Sequence, residues 1–220
     1  MMRLTFDRAA AAGLQVLCLG AHPDDIEIGC GGSILNLLAH RSDVTVRWVV
    51  FSGSAERARE AQRSADLFLD RARSREVIVH SFRDGYFPSL IEPIKDHFEE
   101  LKGGPAPHLI FTHAAHDRHQ DHRVISELTW NTFRDHLILE YEIPKYDGDL
   151  VPPNAYVPLA DEERALKVGH LMECFVTQRD KHWFAPETFD GLMRLRGLEC
   201  ASATGYAEAF HARKLVLGAA

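Results

Sequence analysis

A single α/β domain built on a mostly parallel sheet is predicted by three observations. Short apolar runs rich in β-branched residues alternate with longer amphipathic segments from residue 14 to residue 113. Each interval is long enough for a helix, which a parallel connection requires. The chain of 220 residues is 45% hydrophobic, enough to bury one core.

The elements follow in order. "LQVLCLG" (14–20) is short, apolar and closed by glycine, the pattern of a buried strand. "GGSILNLLAHR" (31–41) predicts a helix with Ser33 as its cap. "VTVRWVVFS" (44–52) predicts a second strand, and residues 54–72 a charged amphipathic helix capped by Ser54. "EVIVHSF" (76–82) is a third strand. A helix over 88–104 opens on Pro88, with Pro93 as an early kink, and "HLIFTH" (108–113) is a fourth strand. Beyond residue 123 the pattern predicts a helix at 124–137, a strand at 138–143, a loop at 144–154, helices at 161–180 and 186–200, and a closing strand or extended tail at 206–217. The whole reads as a Rossmann-like three-layer sandwich, one domain over 1–220 with a core at 14–143 and a C-terminal elaboration at 144–220.

Composition excludes several classes of function. A formal net charge of −7 argues against a general binder of nucleic acid or anionic membrane. Cys18, Cys30, Cys174 and Cys200 lie far apart with no C-x-x-C, so neither a zinc ribbon nor a disulfide framework is indicated, and a reducing, cytoplasmic location is expected. The N-terminus lacks the apolar core of an export leader, and no run approaches the roughly 20 apolar residues of a membrane span. Histidine is in excess: 13 in all, four of them between His113 and His122.

Two segments concentrate chemistry. "AHPDDIEIGCGG" (21–32) follows the first strand and offers His22, Asp24 and Asp25. "THAAHDRHQDH" (112–122) follows the fourth and offers His113, His116, Asp117, His119, Asp121 and His122. In parallel sheets, sites form beyond the carboxyl ends of the strands, where both segments fall. Zinc takes imidazole nitrogen and carboxylate oxygen and, in catalytic sites, keeps a position open for water. His22 and Asp25 on one turn, with a histidine from the second segment, would complete a His₂Asp set; the residues alone do not choose between His119 and His122. Asp24 is left over as a carboxylate able to take a proton from water. Each piece has a plainer use: "PDD" as a helix cap, "GCGG" as close helix–strand packing, His113 as a core hydrogen-bonding group, and Asp121 as the cap of the helix after it. These weaken together, because both segments lie on one predicted sheet edge.

The two segments resemble those of the PIG-L/LmbE family of zinc-dependent N-acetyl-sugar deacetylases, whose motifs are A-H-P-D-D-E and H-x-D-H. "RARE" (57–60), "RDG" (83–85), "TQ" (177–178), "RG" (196–197) and "YAEAF" (206–210) extend the likeness more weakly. The resemblance implies His22, Asp25 and His122 as zinc ligands, with another divalent ion such as Fe²⁺ an alternative. It implies Asp24 as general base, a protonated His119 at the oxyanion, and Asp121 as the group that orients a histidine. Ile26 departs from the family glutamate, and Asp117 stands where some members carry tyrosine.

The expected reaction is hydrolysis of the acetamide of an N-acetylglucosamine-type conjugate to acetate and amine, with the amine's proton from Asp24 or His119. Arg57 could hold a substrate hydroxyl or phosphate, or merely pair with Glu60; Asp84 could accept from sugar hydroxyls, or close a D-G turn. His182 and Trp183 could rim the site. Homo-oligomers are implied by the family. The rivals are a nucleotide-binding sheet using "GCGG" and a metal-retaining carbohydrate-binding protein without hydrolysis. A serine hydrolase is poorly supported, since the sequence has no G-x-S-x-G elbow.

Overall fold

The computed structural model describes residues 13–216. The segment 1–12, read above as carrying no export leader, and Leu217 of the closing segment lie outside the described residues. The parallel core comprises β1 (Leu14–Gly20), α1 (Asp25–His40), β2 (Val44–Ser52), α2 (Ala55–Phe68), β3 (Ser74–Phe82), α3 (Ile91–Gly103), β4 (Leu109–His113), α4 (Gln120–Thr132) and β5 (Leu137–Tyr141). The C-terminal part adds β6 (Ala155–Pro158), α5 (Asp161–Cys174), α6 (Pro186–Glu199) and β7 (Ala207–Ala212).

Among the described residues, the strands form one sheet in the order β3-β2-β1-β4-β5-β7-β6. The first five in this order run parallel; β7 is antiparallel to both β5 and β6. The chain winds outward from β1 to β3 and returns to β4, so the direction of winding reverses between β1 and β4. That reversal opens a crevice at their carboxyl ends, the usual place for a ligand in such sheets. Alternation along β1 divides the core. Leu14, Val16 and Cys18 face α1, α2, α5 and α6; Leu17 and Leu19 face α3 and α4. No described helix is long and apolar enough to cross a membrane.

The fold class predicted from the sequence is the one observed, and Ser54 caps α2, accepting from the Arg57 N–H at 3.3 Å. Several boundaries differ for physical reasons. α1 begins at Asp25 rather than Gly31, and Ser33 lies inside it. Its glycines are sites of crowding rather than a boundary: a Cβ on Gly29 would stand 2.2 Å from the Tyr141 ring, on Gly31 2.6 Å from Phe68, and on Gly32 2.6 Å from Leu159. The same crowding by side chains removes the proposed nucleotide cradle. α4 begins at Gln120, which puts Asp121 and His122 in its first turn. Pro93 falls in the first turn of α3, where its missing N–H has no intrahelical partner to lose, so no kink follows. A separate 3-10 turn, Phe87–Ser89, takes up Pro88. The helix expected to run to 180 stops at Cys174 and is followed by a 3-10 turn, Val176–Gln178. β6 was not foreseen: its four residues end in Pro158, which is tolerated on this edge strand.

Candidate metal centre and active site

The chain leaves β1 through Ala21, whose N–H donates to His113 Nε2 (3.0 Å) and whose carbonyl accepts from the Ser52 N–H and hydroxyl, each at 2.9 Å. Asp24 then adopts φ +102°, a left-handed conformation that a residue with a Cβ holds only under constraint. This turn brings Asp25 back onto His22: the His22 N–H donates to Asp25 Oδ2 at 2.6 Å. Neither carboxylate caps α1, since Asp24 makes no capping bond.

Donor atoms of three residues converge, Asp25 through both of its carboxylate oxygens. His22 Nδ1 lies 3.2 Å from His122 Nε2 and 3.3 Å from Asp25 Oδ2, and His122 Nε2 lies 3.5 Å from Asp25 Oδ1. A tetrahedral ion with bonds of about 2.0–2.2 Å needs donors about 3.3–3.6 Å apart. His22 and His122 are each held from behind, as metal-bound imidazoles commonly are. His22 Nε2 meets Asp84 Oδ1 at 3.1 Å and Asp121 Oδ2 at 3.2 Å; His122 Nδ1 meets Asp117 Oδ2 at 2.9 Å. Asp121 is itself fixed by the N–H groups of Gly85 (2.6 Å) and Phe87 (3.1 Å), and Asp117 by Lys145 Nζ (3.0 Å) and the His119 N–H (2.8 Å).

Three further groupings of donors exist here, one of them His22 with the Asp84 and Asp121 carboxylates behind it. His119 lies with His22 and His122, and His113 with Asp25 and His122. The His113 ring stacks on His122 with centroids 3.9 Å apart. Its Nε2, however, is already met by the Ala21 N–H, by Tyr141 Oη at 3.1 Å and by Asp25 at 3.2 Å. It serves as the core hydrogen-bonding group that its place at the end of a strand suggested. His116 packs against His211, away from the centre.

The charges are unbalanced. Asp24, Asp25, Asp84, Asp117 and Asp121 face Arg57 and Lys145, so negative charge is in excess before any histidine is protonated. Burial pushes the Asp24 carboxyl up to about 7, Asp25 adds to the rise, and Arg57 opposes it. Burial also disfavours the Asp25 charge, but His122, His113 and His22 outweigh it and hold that group well below the usual range. His22 is raised: burial works against its cation, and Asp25 with the hydrogen bonds of Asp121 and Asp84 prevails. Burial and the neighbouring His113 drive His122 down to about 3, which keeps it in the neutral form that binds metal. The excess of carboxylates and the neutral imidazole suit a divalent cation.

The other sequence-derived residues divide. Arg57 neither pairs with Glu60 nor stands free: its Nη2 donates to the Pro23 carbonyl (2.5 Å) and sits 3.1 Å from Asp24 Oδ2. Glu60 instead receives the Thr177 N–H (2.9 Å) and hydroxyl (2.6 Å). Asp84 reaches His22 while remaining largely exposed, and Gly85 at φ +82° also makes the expected turn. His119 lies beside His22 and His122, 4.8 Å and 4.5 Å away between centroids, and its Nδ1 accepts the Asp121 N–H at 3.3 Å. His182 Nδ1 bonds Tyr146 Oη at 3.0 Å, and Trp183 packs on the core. Asp117, the group behind His122, was missed as an orienting residue; Asp121 stands behind His22. The signal was present as an acid five positions before His122.

A family model described as PIG-L, GlcNAc-PI de-N-acetylase, matches residues 17–133, the span from β1 through α4 that carries both His/Asp segments. The chain belongs to the PIG-L family. No curated protein matches the chain. Among solved structures it is similar to the N,N'-diacetylchitobiose deacetylase of Pyrococcus horikoshii, at 19% identity over 90% of this chain and 82% of that one, with a TM-score of 0.61. It is also similar to the zinc inhibited form of teicoplanin deacetylase Orf2, at 16% over 89% and 96%, TM-score 0.65. GalB, the 4-carboxy-2-hydroxymuconate hydratase of Pseudomonas putida KT2440, aligns at 14% over 94% and 99%, TM-score 0.72. At such identities the PIG-L likeness to these structures is one of fold.

Proposed function

We propose that this PIG-L family chain is a divalent-metal-dependent N-deacetylase that hydrolyses the acetamide of an N-acetylglucosamine-type sugar or sugar conjugate. The observation that carries the reading is the spacing of His22 Nδ1, Asp25 and His122 Nε2 at 3.2–3.5 Å, with an additional carboxylate, Asp24, beside them. The family description, GlcNAc-PI de-N-acetylase, and the diacetylchitobiose deacetylase among the similar structures support this substrate class.

His22, Asp25 and His122 are the residues that would hold the cation. When bound, a divalent cation supplies Lewis acidity, polarising a water and the acyl oxygen. Asp24 takes the proton as the water attacks the carbonyl carbon; Arg57 keeps its carboxylate oriented. The neutral ring of His119 carries its proton on Nε2, because Nδ1 is occupied as an acceptor. Burial first and His22 second lower the His119 pKa in the metal-free chain; at the oxyanion this ring is the hydrogen-bond donor, through Nε2. The amine then leaves with the proton that Asp24 took. Asp84, Asp117 and Asp121 hold the two ligand imidazoles in place. Asp84, largely exposed at the mouth, remains the acceptor offered to sugar hydroxyls.

The test is zinc and iron analysis of the purified protein together with acetate release from a panel of N-acetylglucosamine conjugates. Acetate that disappears on metal removal and returns on reloading supports the reading. Bound metal without acetate from any conjugate opposes it and favours a carbohydrate-binding role. The likeness to GalB favours one second reading, hydration of an unsaturated acid. Loss of the ultraviolet absorbance of a 2-hydroxymuconate-type substrate would identify it.

A further inference from the structure

One turn of α1 is bracketed by a buried ion pair from the far end of the chain. Lys167 of α5 donates to the Ile28 carbonyl and to Glu208 Oε1, each at 2.6 Å. Glu208 of β7 accepts the Gly32 N–H at Oε1 (2.8 Å) and the Ser33 N–H at Oε2 (2.7 Å). Both side chains are 3% exposed. The Ile28 carbonyl and the Gly32 N–H are the two ends of a single i to i+4 helical rung. The ammonium addresses one end and the carboxylate the other. Gly32 makes this possible, because a Cβ there would stand 3.0 Å from Glu208 Oε1.

Such a pair is a poor choice if stability alone is at stake. Desolvating two charges is costly, and apolar residues of similar volume commonly hold an interface as well or better. What hydrogen bonds to backbone add is direction: they fix how far a helix is slid and turned. The connection to the metal centre is short. The Ile28 N–H donates to the Asp24 carbonyl at 2.9 Å, so a single peptide residue separates Lys167 from the left-handed turn at Asp24. Asp25, the proposed ligand, is the first residue of the same helix.

We infer that Lys167 and Glu208 are positioning residues for the metal centre: they set the slide and rotation of α1, and through it the placement of Asp24 and Asp25 against His22 and His122. The inference rests on the metal-centre reading above and adds to it two residues from outside both motifs.

The test is titration of metal-free full-length protein with Co²⁺, read as affinity and as the visible absorption of the bound ion, at a temperature where circular dichroism shows each variant folded. Glu208→Gln and Lys167→Met should bind Co²⁺ about 10-fold more weakly than wild type, with an altered absorption band. Wild-type affinity and spectrum in folded variants would overturn the inference and leave the pair a role in stability only. If Glu208→Gln does not fold, Lys167→Met decides the matter, since it keeps both carboxylate-to-backbone bonds. A wild-type chain that binds no Co²⁺ would overturn the metal-centre reading itself, and that result is distinct from variants that match a binding wild type.

Discussion

Two polar clusters, one at the start of α1 and one along it, differ in charge balance. At the carboxyl ends of β1 and β4, six carboxylates, counting the Asp149 that shares Lys145 with Asp117, meet two cationic side chains and a group of histidines. Beneath the C-terminal part, each fully buried charge has its counterpart: Lys167 pairs with Glu208 and Arg196 with Glu142, the latter through Nη2 at 2.5 Å and Nε at 2.9 Å, while the partly exposed Glu199 also meets Arg196 at 2.8 Å. Burying an uncompensated charge is costly, so a folded chain keeps one only where something else compensates it. A balanced cluster is complete in itself and serves as a frame. The imbalance at β1 and β4 is what marks it as a site.

The largest separation between the clusters is expected from Asp24→Asn. It should lower turnover by about 10²–10⁴ while metal content stays at the wild-type level, measured by single-turnover acetate release and metal analysis. Loss of metal in this variant would move Asp24 into the ligand set. Next comes Arg196→Ala in the balanced cluster. It strips Glu142 of the guanidinium that pairs with it and should cost about 3–5 kcal/mol in denaturant unfolding, with turnover per folded molecule retained. Asp117→Asn should leave the fold intact and weaken metal binding by about 10–100-fold, because it loosens His122 from behind.

A smaller effect is expected in pH dependence. The proposed base, Asp24, works only when ionised, so activity should fall as pH falls through its pKa, which burial raises to about 7 in the metal-free chain. Bound metal moves that limb to lower pH. Arg57→Gln removes a cation that favours the ionised form, so the acid limb should shift to higher pH in a kcat profile; a shift to lower pH would contradict the ion pair. The smallest contrast is between glycines. Gly169 of α5 has nothing within 4 Å of an added Cβ, so Gly169→Ala should raise stability by up to about 1 kcal/mol in thermal unfolding. Gly29→Ala, which meets Tyr141, should lower it.

The unbalanced cluster was largely legible in the sequence and the balanced one was not. His22, Asp24 and Asp25 stand within four residues, and the second segment is equally compact, so both could be placed on one sheet edge by counting strands. The parallel core was legible for the same reason, since its apolar runs are short and separated by helix-length intervals. Glu208 and Lys167 lie in an alternating strand and an amphipathic helix, where a charged residue reads as solvated. Only the third dimension shows them turned inward, 41 residues apart, onto the backbone of α1. The glycines misled for a related reason. Without Tyr141, Phe68 and Leu159 in view, "GCGG" reads as a helix boundary, and α1 was expected six residues too late. Asp117 was passed over because only the observed start of α4 brings it behind His122.

The most direct test of the central claim is an anomalous-diffraction map of crystals loaded with Zn²⁺. One peak bonded at about 2.0–2.2 Å to His22 Nδ1, an Asp25 oxygen and His122 Nε2, with Asp24 adjacent but not coordinating, is the expected result. A peak held by His113 or His119 in place of His22, or none at this centre in protein that still releases acetate, would contradict it.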